Sequence, residues 1–282
     1  MHLFTVDVEE YFQVAALEPY IDRRRWNEIP SRVESATDEL LELLAAHGAT
    51  GTFFTLGVVA ERTPGLVRRI AEAGHEIASH GWSHRRVDQL TPAAFRAEVA
   101  QSRELLEQIS GQAVIGYRAP SFSIVNGCSW AYPILAEEGY QYDSSVFPGR
   151  ASGRQYSMMK QSLPRSDDPI EIPLSCAQFG RVQIPAAGGA WFRLLPYALT
   201  QRSLLQAEER GEAGVFYIHP WELDAEQPRV RADAFTSIRH YGGLQRTRSR
   251  LVRLLREFAF TSIKQRLHTK PVQRHEPARY AF

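Results

Sequence analysis

The chain has 282 residues, of which 44% are hydrophobic and 23% are charged, a balance that is ordinary for a folded globular protein. This composition excludes a wholly disordered chain, a collagen-like repeat and a membrane-spanning bundle. The net charge is only +1, so the chain has no overall basic field for nucleic acid. Two cysteines, Cys128 and Cys176, are too few for a disulfide framework, and we expect reduced thiols.

Apolar runs with strand character alternate along the chain with helical patterns. The predicted strands cover residues 3–8, 51–56, 75–79, 114–117, 140–143, 170–174, 181–184, 215–219 and 260–263. The predicted helices cover residues 31–47, 64–73, 92–109, 130–138, 196–210 and 244–258. Repeated strand–helix units predict a mostly parallel sheet with helices outside it, either as a barrel or as an open sheet.

The second half of the chain is less regular. Residues 149–168 are polar and rich in Ser, Arg and Gly, so we expect a long loop there. The strands at 170–174 and 181–184 are expected to form a pair, and the tail after Lys264 is expected to be poorly ordered. Because neither an internal repeat nor a low-complexity linker divides the sequence, we expect a single domain.

The N-terminus has no basic start followed by a long apolar stretch, so no signal peptide is expected. No segment reaches the roughly 20 apolar residues of a membrane-spanning helix. These patterns predict a cytoplasmic protein, or one that a partner holds at the inner face of a membrane.

The first predicted strand carries two candidate site residues, Asp7 and Glu9. Alternate side chains of a strand share one face, so these two carboxylates point together. Such a pair near a strand end suits a metal ligand beside a general base. Acidic pairs at strand ends are also often plain solvated groups.

A second candidate is the run SHGWSH, which holds His80 and His84. Two histidines four residues apart can converge on one metal ion in a helical turn. With a carboxylate and open positions they would fit a hydrolytic metal. The alternative is a pair of unrelated surface or core histidines.

Three more polar residues follow later strands: Arg118, Asp143 and His219. An arginine at a strand end can keep a carboxylate charged and oriented. A histidine after an apolar strand lies where parallel α/β folds place functional groups. Taken alone, Arg118 could equally be a surface residue and His219 a structural one.

These five segments occur in this order, each after or within a predicted strand. The combination resembles the NodB-homology polysaccharide deacetylases of carbohydrate esterase family 4. The runs TVDVEEYFQV, GYRAPSFSI, YDSSVFP, WFRLLPY, YIHPWELD and RHYGGLQRTRSRLVRLLREF are further similar to the branch encoded with bacterial exopolysaccharide and exosortase systems.

The resemblance implies a single α/β domain over residues 1–265, a distorted (β/α)7-type barrel with a C-terminal helical extension. Its family-specific part begins at about residue 149, and a basic tail covers 266–282. The resemblance implies that Glu9, His80 and His84 bind the metal. It implies that Asp7 is the general base and that Arg118 orients this base. It also implies that His219 is the general acid and that Asp143 is the partner of this acid. The implied cofactor is a divalent metal, with Zn²⁺ preferred and Co²⁺, Ni²⁺ and Fe²⁺ as alternatives.

One feature departs from the common family pattern of two adjacent aspartates, since Val8 separates Asp7 from Glu9 here. Strand alternation predicts that Glu9 reaches the metal, because Glu10 should face the other way.

Several residues near the motifs are candidates for substrate binding. Trp82, Phe147 and Trp221 could form the pocket wall, and a backbone N–H near Ser121 could stabilise the oxyanion of a tetrahedral intermediate. Trp191 follows two glycines and is either a sugar-stacking residue or a core tryptophan.

We therefore expect a metal-dependent hydrolase that removes N-acetyl groups from a polysaccharide in bacterial exopolysaccharide biosynthesis and releases acetate. Its expected partners are an N-acetylated polysaccharide or oligosaccharide and exopolysaccharide assembly proteins, not nucleic acid. One alternative is a metal-dependent amidase acting on a small amide or on peptidoglycan. Another is a non-catalytic sugar-binding module, which the loss of Asp7 or His219 would favour, and both residues are present.

The predicted helix at 244–258 has a basic face. Its arginines are Arg246, Arg248, Arg250, Arg253 and Arg256. We expect a solvated face, and the functional alternatives are an acidic polysaccharide, an anionic membrane surface or a partner protein.

Overall fold

A computed structural model describes residues 1–147 and 168–269 of the chain. The strands are β1 (His2–Val8), β2 (Thr52–Thr55), β3 (Glu76–Ser79), β4 (Gly116–Tyr117), β5 (Tyr142–Asp143), β6 (Ile170–Glu171), β7 (Cys176–Phe179), β8 (Val182–Pro185), β9 (Val215–Ile218) and β10 (Phe260–Thr261). The helices are α1 (Val33–Ala46), α2 (Gly57–Arg62), α3 (Pro64–Glu72), α4 (Pro92–Ser110), α5 (Ala131–Glu137), α6 (Gly189–Leu194), α7 (Tyr197–Glu209), α8 (Ala234–Tyr241), α9 (Leu244–Glu257) and α10 (Ile263–Thr269).

Eight parallel strands form one curled sheet in the order β10, β1, β2, β3, β4, β5 and β6, with β9 also paired to β1. The backbone between β6 and β7 approaches β9, where Ser175 N–H donates to the Val215 carbonyl at 3.3 Å. This contact closes the gap between the two ends of the sheet less firmly than a ladder of hydrogen bonds between paired strands would. The curled parallel sheet with helices outside it confirms the predicted distorted α/β barrel.

Strand β1 shows how the barrel separates its two faces. Phe4, Val6 and Val8 belong to the apolar cluster that also contains the core residues of the surrounding helices. Leu3 belongs to a second cluster, with Phe54 and other residues of the neighbouring strands. Asp7 therefore lies on the face opposite Val6 and Val8, as period-two alternation requires.

Local signals set the bounds of α4 as predicted. Thr91 Oγ1 accepts a hydrogen bond from Ala94 N–H at 3.2 Å, and Pro92 occupies the first turn. Gly111 ends the helix with φ of 67°, a left-handed conformation that favours glycine.

Two predictions for the second half of the chain are wrong. The segments at 170–174 and 181–184 are not paired with each other, because β6 pairs in parallel with β5 and β8 pairs in antiparallel fashion with β7. The chain after Lys264 continues as α10, whose Lys264 N–H donates to the buried Glu76 carboxylate at 2.8 Å. Most of the predicted loop, residues 148–167, and the tail from 270 lie outside the described residues.

Within the described ranges, every helix is too short or too polar to cross a bilayer. Cys128 and Cys176 are both unpaired.

Candidate active site

The end of β1 places two buried carboxylates at the carboxyl edge of the sheet. Asp7 is 2% exposed and Glu9 is 1% exposed. Glu10 lies elsewhere: its carboxylate accepts hydrogen bonds from the Ser31 hydroxyl and from Arg32 N–H at the start of α1. Alternation along the chain thus brings Glu9, and not Glu10, to the same side as Asp7.

Glu9 lies beside both histidines of the SHGWSH run. One ligand atom from each of Glu9, His80 and His84 lies within 4.8 Å of the other two, and all three side chains are buried. The two histidines converge through an irregular turn rather than a helix, with φ of 77° at Gly81 and 56° at His84. Arg23 supports this turn, because its guanidinium donates to the His84 carbonyl at 3.1 Å.

The donor chemistry of this cluster fits a divalent metal. His80 Nδ1–H donates to the Arg118 carbonyl at 2.8 Å, so Nε2 is the atom that keeps a free lone pair. His84 Nε2 lies 2.8 Å from Glu9 Oε2, and His84 Nδ1 is buried without a hydrogen-bond partner among the described residues. Two imidazoles and one carboxylate are the ligand set of many catalytic zinc sites.

The protonation states also suit a cation. Burial lowers the pKa of His80 to about 4, so its imidazole is neutral near pH 7. Burial alone would raise the pKa of Glu9, but its electrostatic interactions with His84 and His219 outweigh burial and lower it to about 2. A neutral histidine beside an ionised carboxylate is the state in which such residues bind metals.

Arg118 holds Asp7 from the interior of the barrel. The guanidinium is fully buried, and Nη1 donates to Asp7 Oδ1 at 2.7 Å and to Thr5 Oγ1 at 3.0 Å. Its other donors bind the carbonyl and hydroxyl of Ser144 at 3.1 and 2.9 Å. The guanidinium carbon also lies 4.2 Å from the centre of the Phe54 ring. Asp7 is thus oriented by a cation whose own position is fixed on several sides.

His219 follows β9 and faces both carboxylates. Its Nε2 atom lies 3.9 Å from Asp7 Oδ2 and 3.6 Å from Glu9 Oε1. Its Nδ1 atom lies 2.7 Å from Glu222 Oε1. Burial alone would lower the pKa of His219, but the hydrogen bond to Glu222 and the charge of Glu9 raise it to about 9.

The expected pairing of Asp143 with His219 needs correction. Asp143 Oδ1 accepts from the Ser145 hydroxyl at 2.6 Å, and Asp143 lies opposite Glu171 in the β5–β6 register. The partner of His219 is Glu222, three residues later in the same loop. The physical reason is reach: a 3-10 turn after His219 brings Glu222 back onto both the ring and the backbone N–H of His219.

Trp221 is not available as a sugar-stacking wall. Its indole stacks on the His219 imidazole, with ring centres 5.1 Å apart, and on the His240 imidazole, with ring centres 4.4 Å apart. The side chain is 6% exposed, and Nε1–H donates to Glu9 Oε1 at 3.3 Å. Trp221 therefore supports a candidate metal ligand.

The other candidate substrate residues are partly exposed. The ring of Trp82 packs against Gly57 at the start of α2, and Phe147 packs against Phe122 with ring centres 5.1 Å apart. Ser121 has φ of 55°, an uncommon conformation for a non-glycine residue, in the turn after β4. Trp191 lies on α6.

The basic helix α9 uses several of its arginines inside the protein. Arg250 donates to the carbonyls of Arg193 and Leu195 at the end of α6, at 3.1 and 2.8 Å. Arg248 pairs with Glu39 at 3.0 Å, and Arg253 pairs with Glu257 at 2.7 Å. Much of this face is thus occupied by intramolecular contacts.

Sequence reasoning missed two buried residues beside His219, namely Glu222 and Arg193. The i, i+3 spacing of His219 and Glu222 in the HPWE run was an available signal. The sequence carried no such signal for Arg193. This residue lies on α6, a helix that the sequence patterns did not predict, and only the folding of the chain brings it to Glu222.

Comparisons with known proteins show which protein families this chain is similar to. Residues 26–133 match the family model for polysaccharide deacetylases, and residues 144–268 match a domain of unknown function (DUF3473). The chain is 34% identical over 96 residues to a peptidoglycan-N-acetylglucosamine deacetylase of Bacillus cereus, covering 34% of this chain and 35% of that protein. It is 29% identical over 157 residues to a peptidoglycan deacetylase of Helicobacter pylori, covering 50% of this chain and 53% of that protein.

These matches span about a third and about half of the two relatives. A solved structure from Mycobacterium smegmatis, described as a polysaccharide deacetylase, superposes with a TM-score of 0.61 at 23% identity. That match covers 95% of this chain and 88% of the other. It shows that the fold is shared over nearly the whole chain.

Proposed function

We propose that this chain is a metal-dependent hydrolase of the polysaccharide deacetylase family that removes N-acetyl groups from amino sugars of a polysaccharide. One observation carries the proposal: Asp7, held by Arg118, and His219, held by Glu222, face each other at 3.9 Å beside the Glu9–His80–His84 cluster. A base and an acid beside a metal ligand set form the minimum machinery for amide hydrolysis.

Glu9, His80 and His84 would hold the ion, and Zn²⁺ is the preferred candidate, with Co²⁺, Ni²⁺ and Fe²⁺ as alternatives. When bound, a divalent metal would polarise the acetyl carbonyl and make water easier to deprotonate.

Asp7 is the proposed general base. It accepts a proton from the attacking water, and Arg118 keeps its carboxylate oriented during the step. A backbone N–H near Ser121 would donate to the developing oxyanion, which is consistent with the unusual conformations of Ser121 and Phe122, with φ of 55° and 54°.

His219 is the proposed general acid. The departing amine is a poor leaving group until it gains a proton, and Nε2 of His219 is the donor that faces the site. Its Nδ1 atom is engaged by Glu222, so only Nε2 is directed at the substrate. The products are acetate and a free amino sugar.

The experiment is an acetate-release assay on N-acetylhexosamine oligomers, with chelated protein and with Zn²⁺ restored. Release that requires the metal and is lost in Asp7→Asn supports the proposal. Absence of release from every N-acetylated saccharide would contradict it, and would favour the non-catalytic sugar-binding alternative.

A second substrate, peptidoglycan, is favoured by a specific observation. Both relatives described above are named as peptidoglycan deacetylases. The resemblance to the exopolysaccharide-associated branch argues against peptidoglycan as the substrate. On that resemblance we propose that the protein acts in exopolysaccharide biosynthesis, in the cytoplasm or at the inner membrane, together with assembly partners. Parallel assays on peptidoglycan and on an N-acetylated exopolysaccharide separate these substrates, and an assay on a small N-acetyl amide tests the remaining amidase alternative.

A further inference from the structure

Arg193 is one of the largest fully buried side chains of the protein, although it carries a charge. Its guanidinium donates to the carbonyls of Arg239, His240 and Gly242 at the end of α8, at 3.1, 2.9 and 2.6 Å. Its Nε–H donates to Glu222 Oε2 at 2.5 Å. Helix α6 is thus joined through Arg193 both to α8 and to the loop that follows β9.

Glu222 uses both of its carboxylate oxygens in this arrangement. Oε2 binds Arg193, while Oε1 accepts from the ring Nδ1–H of His219 at 2.7 Å and from its backbone N–H at 3.0 Å. The side chain of Glu222 is fully buried. Arg193, Glu222 and His219 therefore form a continuous chain of charged hydrogen bonds that ends at the candidate acid.

A buried carboxylate needs a cation to remain ionised. Burial alone would raise the pKa of Glu222, but the charge of Arg193 and the contacts with His219 lower it to about 2. An ionised Glu222 can only accept hydrogen bonds, so Nδ1 of His219 must carry a proton and Nε2 must face Asp7. Loss of the cation would remove this constraint on the imidazole.

We propose that Arg193 is a positioning residue for His219 and acts through Glu222. The inference rests on the proposed function, in which His219 protonates the leaving amine. It assigns to Glu222 the supporting role that the resemblance implied for Asp143, and it adds a residue that neither the resemblance nor the sequence pattern indicated.

The arrangement also gives a role to the part of the chain that matches a domain of unknown function. Arg193, His219 and Glu222 all lie within residues 144–268. Asp7, Glu9 and Arg118 lie before that region. On this inference the second region supplies the acid half of the reaction centre and cannot be removed without loss of amide hydrolysis.

The test compares an N-acetyl amide with 4-nitrophenyl acetate, whose leaving group departs without a proton. Glu222→Gln should lower kcat on the amide by about 10²-fold, the scale expected when a reacting group is misplaced. Arg193→Lys should lower the same kcat by a smaller factor, because lysine keeps the charge but lacks the donors for three carbonyls and Glu222. Both variants should retain most of their activity on the ester.

Arg103→Lys is the matched control. Arg103 also donates to a carbonyl at a helix end, that of Glu138 after α5, and to the Glu107 carboxylate at 3.0 Å, but its bonds go to neither Arg193 nor Glu222. It should lose thermal stability without any preference between the amide and the ester. Equal losses on both substrates in Glu222→Gln and Arg193→Lys, or no loss on the amide, would overturn the proposal. If Arg193→Lys fails to fold, Glu222→Gln decides.

A readout without catalysis separates this inference from the proposed function. Proton NMR of the chelated protein should show a strongly deshielded imidazole N–H signal that disappears in His219→Gln. That signal should shift or vanish in Glu222→Gln and Arg193→Lys and persist in Arg103→Lys. An unchanged signal in the first two variants would refute the positioning role even if the wild type proves to be an active deacetylase. The expected shifts would support it even if no acetate is released.

Discussion

Nδ1 of His219 lies 2.7 Å from Oε1 of Glu222, while Nε2 of the same ring points toward Asp7 at 3.9 Å. One imidazole therefore contacts a supporting carboxylate on one side and the proposed base on the other. This geometry gives the acid and the base distinct environments, because Asp7 is bound by Arg118 and His219 is bound by Glu222.

The division between acid and base predicts different responses to the leaving group. Asp7→Asn and His219→Ala should each lower amide hydrolysis by about 10²- to 10⁴-fold, the usual contribution of general acid–base groups. On 4-nitrophenyl acetate, His219→Ala should recover much of its activity and Asp7→Asn should not. Both should bind metal in stoichiometric amount. Equal losses on amide and ester in both variants would assign His219 to substrate binding or orientation instead.

Removal of one histidine from the cluster should abolish metal binding. His80→Ala and His84→Ala each remove one of three proposed protein ligands, so affinity should fall by more than the ~10- to 100-fold typical of changes outside the ligand set. Metal content after dialysis, measured by atomic emission, checks this. His47→Ala, at the end of α1, is the control and should bind metal normally. Stoichiometric metal in both variants would rule out the ligand assignment.

Glu9 and Glu10 should behave in opposite ways. Glu9→Ala should lose the metal, because it removes the proposed carboxylate ligand. Glu10→Ala should keep the metal but lose about 1 kcal/mol of unfolding free energy, because it removes the acceptor for Arg32 N–H at the start of α1. Metal analysis and chemical denaturation of the two variants measure both effects. The reverse pattern would show that strand alternation does not govern which carboxylate binds.

Asp143 should matter for the pH dependence of stability rather than for the acid. Burial raises its pKa to about 6, from an ordinary value of 3.8. A raised carboxyl pKa favours the folded state below the ordinary value, and this advantage is lost as the pH rises through 6. Relative to wild type, Asp143→Asn should therefore gain stability between pH 4 and 7, on the order of 1–3 kcal/mol, and should retain amide hydrolysis.

Thermal denaturation of wild type and Asp143→Asn across this pH range provides the measurement. The glutamate opposite, Glu171, also has a raised pKa because of burial and the Asp143 charge, so wild type should keep part of its pH dependence through that residue. If the stability of the two proteins depends on pH in the same way, or if Asp143→Asn loses amide hydrolysis, this prediction is wrong and Asp143 takes part in the chemistry of the site.

The amino-acid sequence by itself determined those features that depend on neighbours along the chain. Period-two alternation separated Asp7 and Glu9 from Val8, and Thr91, Pro92 and Gly111 marked the ends of α4. The order of strands and helices predicted a mostly parallel sheet with helices outside it, and the family resemblance implied that this sheet curls into a barrel. The four-residue spacing of His80 and His84 predicted their convergence, although an irregular turn and not a helix produces it.

Tertiary structure decided which distant groups meet. Glu222 and not Asp143 contacts His219, and Arg193 reaches Glu222 from a different helix. The indole of Trp221 stacks on the imidazoles of His219 and His240, and the N-terminus of α10 meets the buried Glu76. A sequence pattern records the periodicity of one segment and carries no register between segments. The partners of a buried charge depend on how helices pack, so Arg193 becomes recognisable only when α6, α8 and the loop after β9 are brought together.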